Sequence, residues 1–495
     1  MNDLDTPLDP PEVLGRAESS ILLPLVLGMV INLISLAIGN PYQMAVVGLV
    51  VAIIAIFVFH RRPFGWLLFT AVLAANPANT TTPIALNLYC AGLFFVLMGV
   101  GGWKALPTLV KFALSFVLLS MLISILASLP ADLAVPSIHT TDVSRPRPWM
   151  VTWALGASLE TVTSQVVSVT NYLLGPFLFI PLIFSRIQKD QDPEVLLKGL
   201  VFGLILPTLL LFLLARSFGL PTLDANSVSQ NMLNVSTFRL GSLDIQMIRT
   251  QVGIILAALI CASFAVAISP VRPVTRFSAV GGLVIAIYLL LVTGSVGSTL
   301  ASLAGIVLIL VLGGRHFSIK RYVLMLVAGI SLALAAWTFL PQSVQRYALS
   351  RYEVRISQKG SATDDRSWRW RKSFNYLMEN PSGVGWSLYV EPLRIYPHND
   401  YLSYAIAFGV LCGLVYLLYV CGMLFSFATF NPVPFDPSHF ALSLVGAGVT
   451  TVVLFNSLSD HLTSNRWYFN VVWSLIWYAF FASRNALRPP TSKRP

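Results

Sequence analysis

Charged residues are scarce in this sequence. Asp, Glu, Lys and Arg make up 11% of its 495 residues, whereas soluble domains carry about 25%. A soluble globular domain is therefore excluded. In place of charge, apolar runs long enough to cross a bilayer recur from residue 21 to residue 482. This pattern predicts an all-α polytopic membrane protein.

Cysteine is also rare. The four cysteines, Cys90, Cys261, Cys412 and Cys421, lie inside apolar runs and at no spacing typical of metal ligands. We expect them to pack as small apolar residues. The sequence therefore predicts no disulfide and no metal site.

The start of the sequence lacks the features of a signal peptide. Residues 1–20 are acidic and rich in proline, whereas a signal peptide has a basic start and a short apolar core. We interpret 1–20 as a disordered cytosolic tail. The net charge of +11 is explained by lysine and arginine in cytoplasmic loops, so no nucleic-acid partner is expected.

The apolar runs predict about 14 transmembrane helices, at about 20 residues per span. The third run is short, and it could instead be re-entrant. The candidate spans are 21–39, 43–59, 64–76, 84–101, 109–129, 171–186, 194–214, 250–269, 278–293, 298–313, 321–340, 399–427, 440–459 and 467–483.

Basic residues orient these spans. Six basic segments fall on one side of the membrane, which is the cytoplasm because cytoplasmic loops carry an excess of lysine and arginine. Both termini then lie inside, and the connections 130–170, 215–249 and 341–398 lie outside. The six segments contain His60-Arg61-Arg62, Lys104, Arg186 with Lys189, Arg272 with Arg276, Arg315 with Lys320-Arg321, and the tail 485–495.

The same count divides the chain into regions. They are the tail 1–20, an N-terminal transmembrane bundle 21–270, a region 271–430 that contains the outer loop 341–398, a C-terminal transmembrane hairpin 431–484, and a basic cytosolic tail 485–495.

The outer loop 341–398, between the spans near 321–340 and 399–427, is unexpectedly basic. It carries nine basic and five acidic side chains, an excess of four positive charges on the outer face. Long loops cross the membrane largely regardless of charge, so this excess could simply be tolerated. The alternative is that an anionic ligand binds there.

A short helix with defined ends is predicted within this loop, in "TDDRSWRWRKSFNYLMENPSGVG". Thr363 or Asp364 can cap its start, and Asn380-Pro381 ends it. Such a helix can lie on the membrane surface while it offers guanidinium groups to a neighbour. Its apolar stripe is formed by Trp370, Phe374, Leu377 and Met378, away from Arg369 and Lys372.

A polar cluster follows at the mouth of the span 399–427. His398, Asn399, Asp400 and Tyr401 precede a continuous apolar run. Polar groups are expensive at such a position unless they lie in water or have a function.

The order of these motifs resembles a known family. The arginine-bearing helix contributes Arg366 and Trp370, followed by Asn380-Pro381, Gly383 and Gly385, then by His398-Asn399, Tyr401-Leu402, Gly409 and Gly413. This pattern is similar to the C-terminal domain of the O-antigen ligase and Wzy O-antigen polymerase family. The resemblance is specific over about 280–427.

Two positions depart from the family pattern. The family often has Gly-Ser-Arg-Gly between two upstream spans, and this chain has Val296 in place of the arginine. The family also often has a glutamate where this chain has Ala407. The roles of those two side chains do not transfer.

The resemblance implies a GT-C-like membrane glycosyltransferase of the bacterial inner membrane. Its donor would be an undecaprenyl-diphosphate-linked oligosaccharide, and transfer to a sugar hydroxyl would take place on the periplasmic side without metal or cofactor. The acceptor would be a glycan or a lipid-linked glycan. A chain-length regulator and a flippase are possible partners.

Such transfer needs a base for the acceptor hydroxyl, and histidine suits that role. His398 is the favoured catalytic residue, with Asn399 capping or orienting the turn and Tyr401 packing rather than reacting. Asp400 could orient the histidine or simply start the helix. His461 and His139 are the other histidines on the outer side.

The leaving diphosphate needs cationic contacts, because guanidinium groups match phosphate oxygens at two points. Arg366 ranks first because it fits the family motif. The other candidates for binding the diphosphate are Arg369, Arg346, Arg239 and Arg249, and the last two bracket the entry to a span.

Several functions remain open at this stage. Polymerisation of O-antigen or exopolysaccharide repeat units is favoured over ligation of a finished glycan to lipid A core in lipopolysaccharide synthesis. A protein O-oligosaccharyltransferase is a third form of the same chemistry. A lipid-linked sugar flippase is the alternative from another class, although the spans carry few ionisable residues at mid-depth.

Overall fold

The structure is a computed structural model of the chain. It describes the C-terminal part nearly continuously and the N-terminal part only in pieces. The described residues are 249–293, 295–314, 365–384, 397–430, 436–459 and 466–484, the strands 236–240 and 243–247, the helical stretches 111–120 and 180–184, and isolated positions elsewhere.

The described elements are mostly long apolar helices. They are α1 (Ile180–Phe184), strands β1 (Ser236–Leu240) and β2 (Leu243–Met247), α2 (Arg249–Ile268), α3 (Pro273–Thr293), α4 (Val296–Gly313), α5 (Asp365–Glu379), α6 (Asp400–Phe408), α7 (Val410–Ala428), α8 (Pro437–Ser459) and α9 (Arg466–Arg484).

These helices confirm the predicted helical membrane class. Within the described part of the chain, four helices (α3, α4, α7 and α8) are long and apolar enough to cross a membrane. Five predicted spans coincide with described helices to within a few residues. They are 250–269 (α2), 278–293 (α3), 298–313 (α4), 440–459 (α8) and 467–483 (α9). The total of about 14 spans stays a prediction, because the first four fall almost entirely outside the described residues.

A short β-hairpin adds an element that the sequence did not predict. Strands β1 and β2 pair antiparallel within the connection 215–249, immediately before α2. The register places Arg239 directly opposite Asp244.

Small residues bring α2, α4 and α8 together at mid-bundle. A β-carbon at Gly305 would lie 2.5 Å from Cys261 Sγ and 3.2 Å from the Gly448 carbonyl oxygen. Close approach over small residues is typical of packed membrane helices. Cys261 and Cys412 are buried in the core, in the packing role that the sequence predicts for them.

The predicted continuous span 399–427 is wrong. The chain breaks at Gly409, whose φ of 97° and ψ of 156° separate α6 from α7. This backbone region is essentially restricted to glycine. Hydropathy does not register such a break, because the residues on both sides are apolar.

Helix α6 folds back along α7 instead of extending it. The Tyr401 ring lies 5.3 Å from the Tyr416 ring, and Tyr404 stacks on Tyr416 at 4.5 Å. A β-carbon at Gly413 would lie 2.7 Å from the Tyr401 carbonyl oxygen. The N-terminal end of α6 therefore lies beside the second turn of α7, inside the bundle.

The bundle has two chemically different ends. At one end, which we call the basic end, Arg484 Nη2 donates to the Ser426 carbonyl oxygen at 2.6 Å, and the guanidinium lies 3.8 Å from the Phe480 ring centroid. Arg276 Nη2 donates to the Ser269 carbonyl oxygen at 3.0 Å at this same end. The opposite end, called the His398 end, carries the start of α6 and the end of α8.

Replacing Gly409 with alanine tests the helix reversal. We expect Gly409→Ala to destabilise the protein by about 1–3 kcal/mol, because alanine is strained at this φ and ψ. Gly281→Ala is the matched control, since a β-carbon at Gly281 would meet nothing within 4 Å. Thermal unfolding in detergent measures both, and equal midpoints for the two variants would contradict the assigned reversal.

Candidate active site at the His398 turn

His398 lies in a strained backbone conformation, in the segment 397–401 at the start of α6 that we call the His398 turn. Among the residues that the structure describes, it is the non-glycine residue with a positive φ, at 51°. Histidine tolerates the left-handed region better than most residues, but such a conformation persists only where its surroundings enforce it. The His398 side chain is half-buried.

Asn399 provides part of that enforcement. Its Oδ1 accepts from the Leu402 backbone N–H at 3.0 Å, which caps α6, and its Nδ2 donates to the Leu458 carbonyl oxygen at 3.3 Å. Asn399 therefore has the capping role that the sequence analysis gave it, and it also joins the turn to α8. A catalytic role stays a prediction.

Asp400 and Tyr401 attach the same turn to α8. Ser457 Oγ donates to Asp400 Oδ2 at 3.0 Å, and Asp400 is fully buried. The Tyr401 hydroxyl donates to the Leu454 carbonyl oxygen at 3.3 Å. Asn399, Asp400 and Tyr401 thus all bind the C-terminal end of α8. A buried carboxylate in a membrane bundle usually has a functional role.

A second polar group borders this contact. Ser295 Oγ donates to Ser298 Oγ at 3.0 Å, and Ser298 Oγ lies 3.5 Å from Asn456 Oδ1. All three side chains are buried at the His398 end of the bundle. Sequence reasoning did not assign these residues or Ser457. The pair Asn456-Ser457 inside an otherwise apolar helix was the available signal.

The position that lacks the motif arginine lies beside this group. Val296 is the first residue of α4, immediately after Ser295. A β-carbon at Gly253 of α2 would lie 2.8 Å from Ser295 Cβ. Arg249, the first residue of α2, is four residues before Gly253 and so lies on the same helix face, one turn nearer the His398 end.

The arginine-bearing helix α5 is joined to the reversal at Gly409. It ends at Glu379, followed by a turn in which the Gly383 N–H donates to the Asn380 carbonyl oxygen at 3.1 Å. Thus the helix start and end agree with the prediction to within a residue or two. The turn is called the 380–384 turn below.

Backbone hydrogen bonds connect the 380–384 turn to both sides of Gly409. The Val384 N–H donates to the Ile406 carbonyl oxygen, and the Val410 N–H donates to the Pro381 carbonyl oxygen, both at 3.0 Å. A β-carbon at Gly383 would lie 2.5 Å from the Gly409 nitrogen. The glycine motifs that are far apart in sequence therefore meet in one junction.

Helix α5 contacts α6, the helix that begins at the His398 turn. Both helices end at this junction, so Arg366 and Arg369 lie in the half of α5 away from it. Arg369 is half-buried.

Other predicted residues are placed less closely. Arg346 is exposed, in a part of the chain described only at isolated residues. His461, Asp460 and His139 lie outside the described residues. Ala407, where the family has a glutamate, is fully buried, and its carbonyl oxygen faces the 380–384 turn.

The predicted apolar stripe of α5 is only partly buried. Leu377 is 5% exposed, but Phe374 is 52% and Met378 is 65% exposed. One part of the predicted stripe therefore packs against the protein and the other part is uncovered, and sequence periodicity cannot distinguish the two.

Within the described part of the chain, no group of three or more His, Cys, Asp or Glu side chains could hold a metal ion. The expectation of a metal-independent reaction stays a prediction.

These elements define a helical membrane protein. In it, a helix that carries arginines contacts the helix that begins at a strained histidine turn. A family model described as O-antigen ligase matches residues 281–417. This confirms the predicted resemblance over that segment and supports a role in glycan transfer during O-antigen or polysaccharide synthesis. A search of curated proteins gave no match.

Asn399→Ala tests the anchoring of the His398 turn. We expect a loss of about 1 kcal/mol from the missing helix cap, and a further loss because the Leu458 carbonyl oxygen is left without its amide partner. Asn375→Ala on the exposed face of α5 is the control. If both variants have the same thermal unfolding midpoint in detergent, then Asn399 does not anchor the turn.

Proposed function

We propose that this chain transfers a glycan from an undecaprenyl-diphosphate-linked donor to a sugar hydroxyl. The reaction would take place at the His398 end of the bundle, facing the periplasm from the inner membrane. The observation that carries the proposal is the strained His398 turn at the start of α6, with the arginine helix attached to the other end of α6 through the 380–384 turn, within the matched segment 281–417.

In this proposal His398 acts as the general base. The acceptor hydroxyl attacks the anomeric carbon of the donor sugar, its proton passes to the His398 imidazole, and the bond between that carbon and the diphosphate oxygen breaks. Deprotonation at the moment of attack makes the oxygen a better nucleophile. The Asn399 cap and the contact between Asp400 and Ser457 would hold the turn in place for this step.

Arginines would stabilise the leaving diphosphate. Arg366 and Arg369 on α5 are the first candidates, since charge that develops on the leaving oxygen is stabilised most by preorganised donors. Arg249 would supply a cation beside Val296, where the motif arginine is missing. Arg239 is a weaker candidate, because Asp244 lies opposite it in the hairpin and opposite charges at such positions attract. Arg346 would contribute only at the exposed surface.

Two acceptors suit the same donor chemistry. We favour a second carrier-linked repeat unit, which makes the protein a polymerase. Ligation to lipid A core is the second candidate, and the description of the matched family favours it. An assay that offers the carrier-linked oligosaccharide with and without a lipid A core acceptor separates the two products. A chain-length regulator or a flippase would be expected to assist a polymerase.

His398→Ala tests the base. A positioned general base contributes about 10²–10⁴-fold, so we expect a loss of that size in transfer while donor binding is unchanged. The measurement uses purified protein, a lipid-diphosphate oligosaccharide and EDTA. His139→Ala is the control and should remain near the unmodified rate. Full activity in His398→Ala, or a requirement for divalent metal, would contradict this mechanism.

Arg366→Ala tests the diphosphate contact. We expect loss of product with normal membrane levels of the protein, because the developing charge on the leaving group loses its partner. Arg366→Lys should recover little, since one ammonium cannot reproduce a planar two-point contact. If Arg366→Ala transfers glycan at the normal rate, then the basic charge of this loop is not needed for the reaction.

A further inference from the structure

Helix α5 carries three parallel stripes of side chains, each spaced i, i+3, i+7. The first stripe, formed by Trp370, Ser373 and Leu377, packs against the rest of the protein. Ser373 is 0% and Leu377 is 5% exposed, and Trp370 is half-buried. Residues at this spacing share one helix face, so this face of α5 is the one covered by neighbouring helices.

The second stripe, one residue further on, is exposed and largely apolar. It consists of Arg371, Phe374 and Met378, and we call it the interfacial stripe. Phe374 and Met378 keep half or more of their surface uncovered, and Arg371 is exposed beside them. Two large apolar side chains on adjacent turns, next to a cation, form an uncovered surface of mixed chemistry.

The third stripe is exposed and polar. It consists of Lys372, Asn375 and Glu379. Trp368, one turn before Lys372, is covered on one side by that lysine, whose Nζ lies 5.6 Å from the indole centroid. The interfacial stripe and the polar stripe are thus neighbouring exposed faces of α5, offset by one residue, and they differ in polarity.

The end of α5 lies at the level where a membrane span begins. Pro381, two residues after the helix ends, accepts from the N–H of Val410, the first residue of α7. Helix α7 is long and apolar enough to span the bilayer, and its uncovered apolar side chains begin at Leu411, which is 64% exposed. The end of α5 therefore lies level with the start of a helix that is long and apolar enough to span the bilayer.

We propose that the interfacial stripe lies in the headgroup region of the bilayer at the His398 end. Phe374 and Met378 would reach the acyl boundary, and Arg371 would lie among the lipid phosphates. The bilayer fits better than a protein partner because its surface supplies both an apolar layer and anionic groups at the depth where α5 ends. The polar stripe is then turned toward water.

This placement gives α5 a defined depth. A helix that lies flat on the bilayer holds its arginines at the height of lipid phosphates, whichever reaction the protein catalyses. The inference therefore does not depend on the proposed glycan transfer, and its test uses no substrate.

The test compares spin labels at two neighbouring positions of α5. The full chain, with its four cysteines replaced, carries either Met378→Cys on the interfacial stripe or Asn375→Cys on the polar stripe. The protein is placed in nanodiscs of phosphatidylethanolamine and phosphatidylglycerol. Collision rates are measured with oxygen, which partitions into lipid, and with a water-soluble nickel chelate. We expect the label at 378 to be relaxed more by oxygen and the label at 375 more by nickel.

A second pair protects the test against misfolding. If Met378→Cys lowers the thermal midpoint, then Phe374→Cys and Lys372→Cys provide the same comparison one turn earlier. Labels on the interfacial stripe that are as accessible to nickel as those on the polar stripe would overturn the proposal. Protection from both reagents, with dipolar coupling between labels of two copies, would assign the stripe to a dimer contact and would also overturn it.

Discussion

The backbone at Gly409 turns through a conformation that side-chain-bearing residues rarely adopt, and the arrangement at the His398 end follows from that turn. With φ of 97° and ψ of 156°, the chain reverses between α6 and α7. Because α6 folds back along α7, Tyr401 near its start lies beside Tyr416, and the first residues of α6 contact α8. A continuous helix would place the same polar residues outside the bundle, where water would surround them.

The reversal at Gly409 is stabilised by the 380–384 turn, which comes from the loop before α6. Pro381 and Val384 make backbone hydrogen bonds to residues on both sides of Gly409. Backbone groups freed by the helix break therefore find partners, which a break near the membrane requires. The same bonds fix the end of α5 against the end of α6, which is the helix that begins at the histidine turn. A β-carbon at Gly383 would leave no room for this contact.

Sequence reasoning predicted the parts of this arrangement that depend on local signals. Apolar length predicted α2, α3, α4, α8 and α9, and Asn380-Pro381 predicted the end of α5. The reversal at Gly409 was not predicted, because a glycine within an apolar run also occurs in straight membrane helices. The partner of Asp400 was not predicted either, since Ser457 is 57 residues away and only the fold brings it near. Periodicity predicted the apolar stripe of α5 but not which of its residues other helices cover.

The contacts of the His398 turn extend beyond the segment that carries the family pattern. The match ends at residue 417, yet Asn399, Asp400 and Tyr401 bind Leu458, Ser457 and Leu454 of α8. Helix α2, which begins with Arg249, packs through Gly253 on the start of α4 at the same end of the bundle. The motif residues therefore depend on helices that carry no motif, and these helices supply the surroundings that the strained His398 backbone requires. Substitutions in α2 or α8 can change the geometry of the turn without touching the matched segment. The role of Arg249 as a replacement for the arginine that is missing at Val296 stays a prediction.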